Sequence, residues 1–367
     1  MNREIIGRTG ATCLLVMAVV AKQFTMNPRM LTVKAGASAW LVTLLAGLVA
    51  WPGYLLLSAL LRRFPGQSLG QISKQVLGKW LGMLFCLIYS GYFIFLSGLF
   101  MRQFEASFRI AVLPRTPASA LMLMFSAGVV FLVFKGMEAM GRMATYLFPI
   151  LLFLLVAMGL GSIRLVDLRQ LTPFFGRGIS TTLLLPFPES SVYGEILVLG
   201  AFAGLLRAAD VHSAGKRAFW AAVLVMTMSY VVLLGVFPYP SLSRLQFPIL
   251  ELARAIQVGE FLQRIEAVFV MVWFFFSSFK VATAVACAAV FFRDLAGLAD
   301  YRPVVFAMVL IAYTIAFLPE DPVVVAALDS YTLRSWTWPV SYLLPAITLG
   351  VAVWRGKRGA VADAASG

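Results

Sequence analysis

ATCLLVMAVVAKQFTMNPRML, residues 11–31, and LLLPFPESSVYGEILVLGAFAGLL, residues 183–206, are two hydrophobic segments broken in their middles. Lys22-Gln23 and Asn27-Pro28-Arg29 break the first. Pro186, Pro188, Glu189 and the triplet Tyr193-Gly194-Glu195 break the second. Proline removes a backbone donor and glycine tolerates unusual dihedrals, so each segment reads as an interrupted helix. Interrupted helices at matching places in two halves of a membrane chain point to a small-molecule site near the bilayer midplane. Amides freed at a half-helix N-terminus bind a carboxylate, and freed carbonyls bind an ammonium or a cation. An amino acid zwitterion matches both ends. For either segment alone the simpler account is a proline kink.

The whole chain has 367 residues, 61% of them hydrophobic, which is more apolar surface than a water-soluble domain can hide. Apolar runs predict about ten spans, near 11–31, 39–61, 80–101, 118–134, 143–163, 183–206, 218–238, 266–292, 303–318 and 336–354. None alternates with the period of a barrel strand. Ten spans split into five and five. A five-span unit has odd topology, so its repeat inserts upside down, which is the inverted-repeat plan of the leucine-transporter type of fold. The expected organisation is a single membrane domain over 1–358. Its repeats are about 11–163 and 183–354, joined by an external connection at 164–182, with a disordered tail at 359–367. Residues 247–265, FPILELARAIQVGEFLQRI, read as an amphipathic interfacial helix, with Ile249, Leu252, Ala253 and Ile256 on one face and Glu251, Arg254 and Gln257 off it. Trp336, Trp338 and Tyr342 read as an aromatic anchor opening the last span.

A net charge of +14 raises the question of nucleic acid, but no soluble basic domain accompanies it. Of the 30 Lys and Arg residues, 16 fall on the side that carries the N-terminus, which predicts both termini in the cytoplasm. The basic, then apolar N-terminus lacks a small-residue cleavage site and reads as a retained first span. Cys13, Cys86 and Cys287 all lie in spans and read as buried small residues. No metal-ligand, phosphate-loop or nucleophile motif is present, and the one histidine, His212, falls in an expected loop, so neither an enzyme nor a metal or cofactor is expected.

The informative charges are those inside spans. Lys22, Glu195 and Lys280 each sit near the middle of an apolar run. A charge at the bilayer centre costs about 2.5–3.5 kcal/mol on insertion scales, so each must face the bundle interior and find a partner. The set reads either as a polar ligand site or as a buried ion pair, Glu195 with Lys22 or Lys280, that fixes helix packing. Gln23, Thr25 and Asn27 in the first break, Tyr193 and Gly194 in the second, and Ser277 and Ser278 beside Lys280 complete the candidate ligand-binding set. The plain account of these neighbours is interhelical hydrogen bonding. Phe274-Phe275-Phe276 read as lipid-facing and packing surface.

Several further pieces are similar to one family. Pro28-Arg29 is followed by Ala35-Gly36 and Ala39-Trp40, then Phe64-Pro65-Gly66, then Leu113-Pro114 with Thr116-Pro117, and then Gly136 and Glu138. Tyr193-Gly194-Glu195 and the long string FPILELARAIQVGEFLQRIEAVFVMVW at 247–273, ahead of Lys280, are the most specific. Over about residues 5–355 the chain resembles the permease-like B subunit of bacterial spore germination nutrient receptors, within the amino acid–polyamine–organocation superfamily. The resemblance implies a germinant-sensing subunit in the inner membrane of the spore, acting beside a larger A-type subunit and a C-type lipoprotein. It also implies an amino acid or other small nutrient as ligand. The runner-up is an amino acid or organocation permease that carries out transport, and a third reading is a scaffold for partner subunits. One departure stands out. The family has a small, glycine-containing stretch ahead of Pro-Arg, where this chain has Lys22-Gln23-Phe24-Thr25-Met26-Asn27. Lys22, Phe24 and Met26 crowd that gap, so either the ligand differs from a simple amino acid or binding has been lost.

Overall fold

The computed structural model describes residues 6–111, 113–256, 265–319 and 322–359. It shows ten helical passes, α1–α10, and no strand among the described residues. The first pass, α1, joins Arg8–Val20 to Asn27–Ala35 through a 3-10 turn at Ala21–Phe24. Four unbroken passes follow: α2 (Ala39–Arg63), α3 (Lys79–Ala111), α4 (Ala118–Phe134) and α5 (Met137–Gly161). The sixth pass, α6, runs through Ile179–Leu184, Pro186–Glu189, a 3-10 stretch at Ser190–Leu197 and Val198–Phe202. Then come α7 (Ala208–Val236), α8 (Ile265–Ala296) and α9 (Val305–Phe317). The last pass, α10, spans Pro322–Ala327 to Leu344–Trp354, with π-helical turns at Leu328–Leu333 and Pro339–Leu343. This is the leucine-transporter-like arrangement, with first and sixth helices broken.

Both breaks satisfy their own backbone, as lipid requires. In α1, Thr25 is extended, and its hydroxyl donates to the Lys22 carbonyl at 2.8 Å while accepting from the Asn27 N–H at 3.3 Å. Pro28 then opens the outer half-helix, where its missing N–H costs nothing. In α6, Ser190 and Ser191 donate back to the Phe187 and Pro188 carbonyls at 2.6 and 2.7 Å. Eight residues of 3-10 helix is long for that geometry, which rarely runs beyond three or four and in mid-helix often marks a hinge.

Several span boundaries differ from the sequence reading, among them the start of α7 at Ala208 instead of near 218. The third pass continues to Ala111, taking in Arg102, Gln103 and Glu105, and the last begins at Pro322 instead of near 336. In each case buried charges pair inside the bundle, so a helix continues where hydropathy alone falls. Trp336 and Trp338 therefore lie in the middle of α10, half-exposed on its outer surface, and do not open the span. Helix α6 starts at Ile179, inside the expected external connection. The amphipathic helix covers Pro248–Ala255 and stops at Ile256, which is extended; residues 257–264, Gln257 among them, lie outside the described residues. Its face is as expected, with Ile249, Leu252, Ala253 and Ile256 buried. His212 is helical, in the second turn of α7, where Ser58 meets its Nδ1 at 2.7 Å. Of the three phenylalanines, Phe275 faces outward and Phe276 is buried against Phe24. Residues 360–367, expected as a tail, lie outside the described residues.

The face that carries both described chain ends is tightly closed. The Ile6 N–H donates to the Leu205 carbonyl at 2.9 Å, and Gly359 donates to Arg63 at 3.0 Å. A short helix at Leu69–Leu77 lies here, capped by Ser68, whose hydroxyl also binds the buried Asp294 carboxylate. Lys74 reaches the Asp294 carbonyl at 2.7 Å, and Arg293 pairs with its carboxylate at 2.6 Å. We call this the basic face and the other the far face.

Helix α1 crosses α5 at two glycines. A Cβ on Gly10 would stand 2.6 Å from the Gly141 carbonyl oxygen, a backbone atom that cannot swing away. Small residues let membrane helices approach in this way. Gly10→Leu is expected to lower stability by about 1–3 kcal/mol, the usual range for overpacking. Thermal unfolding in detergent tests this, and an unchanged midpoint would show that α1 and α5 can separate freely.

Candidate functional site

The two breaks face each other, and the lone charges of the sequence meet between them. Lys22 Nζ lies 2.9 Å from Glu195 Oε1, and Lys280 Nζ lies 2.5 Å from Glu195 Oε2. All three side chains are almost fully buried. The Lys22 contact is an ion pair without the alignment of a hydrogen bond to that oxygen. Lys22 also reaches the Val192 carbonyl in the 3-10 stretch of α6, at 3.4 Å. Lys280 donates to the Ala18 carbonyl of α1 at 2.5 Å and stands 4.0 Å over the Phe100 ring. So Glu195 pairs with both lysines, and each lysine bridges α6 to a second helix.

Asp329 was not foreseen from the sequence. It is buried in the first π-turn of α10, within electrostatic reach of Lys22, Lys280 and Glu195. Two lysines and two carboxylates leave the crossing with no formal net charge. That balance suits a medium in which an unpaired charge is expensive.

The other candidates separate into distinct roles. Asn27 belongs to a second ionic cluster nearer the far face. There Arg334 of α10 binds both the Glu189 carboxylate and the Asn27 side-chain oxygen, and Lys34 approaches Glu189 Oε1 at 3.1 Å. In the sequence Glu189 reads only as part of the break, and Arg334, two residues ahead of the expected last span, is not singled out. Gln23 turns away and donates to the Met226 carbonyl of α7 at 3.3 Å. Thr25 closes the turn of α1. Ser277 donates to Trp273 on its own helix at 2.7 Å, and Ser278 is buried one residue on. Tyr193 points across to the Thr43 carbonyl of α2 at 3.0 Å.

Gly194 serves a different purpose from the one the sequence suggested. Its φ is not positive, so dihedral freedom is not at issue. A Cβ there would come within 2.4 Å of the Thr337 methyl and 3.0 Å of the Ser341 hydroxyl. Glycine is needed because α10 presses against the break. Tyr342 of α10 adds a hydrogen bond to the Ser190 carbonyl at 2.9 Å.

Little space remains at the crossing. A cavity of about 10 Å³ lies between the broken helices and α2 and α7, lined by Asn27, Glu189, Val192, Tyr193, Met226 and Tyr230. Such a volume holds no more than about one water molecule. Lys22, Phe24 and Met26 of the first break are all buried, and Phe24 packs against Phe269 and Phe276 of α8.

This architecture, with two broken helices crossing over a buried polar centre, defines a membrane protein of the leucine-transporter fold. A solved nucleobase-cation-symport-1 family transporter, Mhp1, in a closed conformation with bromovinylhydantoin bound, aligns with a TM-score of 0.66 at 14% identity, covering 95% of this chain and 78% of that one. MhsT in complex with L-phenylalanine aligns at 0.65 and 13% identity, covering 98% and 91%. The chain belongs to the spore germination protein family, whose model matches residues 6–325. Spore germination protein KB of Bacillus subtilis (strain 168) is 27% identical, over 88% of this chain and 89% of its own length. Spore germination protein YndE of the same organism is 22% identical, over 95% and 96%. Family and fold neighbours are transporter- or receptor-like and are not enzymes.

The triad predicts an order of mutational cost. Glu195→Gln leaves two buried cations facing each other and is expected to cost about 3–5 kcal/mol, as for other broken buried pairs. Lys22→Met leaves a paired Glu195–Lys280 and should cost clearly less. Thermal unfolding of the purified variants measures both. Equal losses would mean that Lys22 is as necessary as Glu195 and that the charges are not shared in this way.

Proposed function

We propose that this chain is the germinant-sensing membrane subunit of a spore germination receptor, responding to a zwitterionic amino acid. The observation that carries the proposal is the self-paired triad Lys22–Glu195–Lys280 between the two broken helices. A closed state that satisfies its own charges is stable without ligand. A ligand shifts the equilibrium only if it binds the other state better. An amino acid supplies the means: its ammonium replaces Lys22 on Glu195, and its carboxylate takes Lys22. The zwitterion adds no net charge to the crossing, whereas a simple cation or anion would unbalance it.

Lys280 keeps its hold on Ala18 and Glu195 during this exchange and ties α8 to the centre. Separation of Lys22 from Glu195 and from the Val192 carbonyl removes the direct tie between the two breaks, and the half-helices beyond them move while Lys280 remains the pivot. On this reading partner subunits, a larger A-type chain and a C-type lipoprotein, read that movement at the membrane. The basic face lies in the cytoplasm of the spore, in its inner membrane, and the far face is the side from which nutrient arrives. The excess of Lys and Arg on the face carrying both chain ends supports this orientation.

Spores carrying Lys22→Met test the proposal, because that variant keeps the Glu195–Lys280 pair in place. The nutrient concentration for half-maximal germination by the effective amino acid is expected to rise at least about tenfold, the equivalent of one charge-assisted hydrogen bond. Glu195→Ala is expected to abolish the response. A normal response in Lys22→Met spores sinks the exchange mechanism. Sustained amino acid flux through the purified protein in liposomes assigns it to transport.

A further inference from the structure

On the far face a second cavity opens, of about 700 Å³, and it is built unlike the crowded centre. Lys34, Arg334 and two serines, Ser330 and Ser335, give it a polar floor, and Tyr331 and Trp338 form part of its apolar wall. The floor carries two cations against one carboxylate. Lys34 and Arg334 both bind Glu189, so a formal charge of +1 remains in the cluster. The Lys34 side chain is 20% exposed and so within reach of a solute, and its Nζ also lies 4.8 Å from the centroid of the Tyr331 ring. Tyr331 and Trp338 are 60% and 48% exposed, a large aromatic area beside a cationic floor.

Glu189 is also a partition. Held by Lys34 and Arg334 of the cavity floor, it lines the small cavity beside the crossing, as does Asn27, the other ligand of Arg334. The ionic cluster therefore forms the wall between the outer cavity and the centre.

We infer that this outer cavity is a separate binding site for a small carboxylate bearing an apolar or aromatic group. The ligand carboxylate competes with Glu189 for Lys34 and Arg334, and its body lies on Tyr331 and Trp338. A guanidinium and an ammonium converging on one point suit a carboxylate, and the match of charges favours an anion over a cation. Because Glu189 is the internal competitor, occupation of the outer site loosens the wall above the crossing. The inference does not depend on amino acid exchange at the triad.

The test uses the purified full chain in phosphatidylcholine nanodiscs, which present no anionic headgroup, titrated by calorimetry with phenylacetate and with its neutral counterpart phenylacetamide. Phenylacetate is expected to bind saturably and phenylacetamide not to bind. Removing the competitor with Glu189→Gln is expected to tighten phenylacetate binding by about tenfold, and Lys34→Ala to weaken it by about tenfold, each the scale of one charged hydrogen bond. Lys34 is partly exposed, so its truncation leaves the fold intact and the measurement stands even if Glu189→Gln expresses poorly. Trp338→Ala should also weaken binding, while Lys22→Met should leave it unchanged, which separates this site from the triad. Equal binding of the amide, weaker binding in Glu189→Gln, or indifference to Lys34→Ala would each overturn the inference.

Discussion

One carboxylate, that of Glu195, holds together helices that arrive from three parts of the chain. Lys22 brings α1 to it and Lys280 brings α8, while the 3-10 stretch of α6 supplies the carboxylate itself. In a medium without water, the alternative to this pairing is three isolated charges, each costly. The breaks in α1 and α6 are tolerable because the groups they expose are claimed locally, by Thr25 on one side and by Ser190 and Ser191 on the other. The ion triad and the backbone stitches are thus two parts of one solution to burying polar groups.

A second layer of contacts ties α10 to the same place. Thr337 and Ser341 press against Gly194, Tyr342 reaches Ser190, and Arg334 binds Glu189. Helix α10 can follow α6 this closely because glycine leaves room at the tightest point. Its two π-turns flank the segment Arg334–Trp338 that carries Arg334 and Thr337. π-turns often accompany functional sites, and here they bracket the part of α10 that faces the break.

Much of this was legible in the sequence where charge and hydropathy disagreed sharply. Lys22, Glu195 and Lys280 each interrupt an apolar run, and a lone charge in such a run must turn inward. Glu189, Asp329 and Arg334 were harder. Asp329 and Arg334 stand close together in a stretch whose hydropathy falls, so the segment resembles a loop until its partners on other helices are known. Pro322, in the first turn of α10, was the available signal for an earlier helix start. The outer end of α3 was misread for the same reason, since Arg102 and Glu105 pair within one helix face. Gly194 shows the reverse case. The residue was correctly noticed, but its reason is a neighbour from residues 337–341, and no local pattern encodes that.

The cancellation of charge at the crossing has an electrical meaning. A unit charge moved across a membrane potential exchanges about 2.3 kcal/mol per 100 mV, which is how voltage sensors work. Lys22, Lys280, Glu195 and Asp329 sum to zero, so if they shift as a group the field has almost nothing to pull on. A zwitterion entering among them keeps that sum. On the proposed reading, a switch built this way answers to chemical concentration and ignores the membrane voltage, and would work the same in a membrane that is energised and in one that is not.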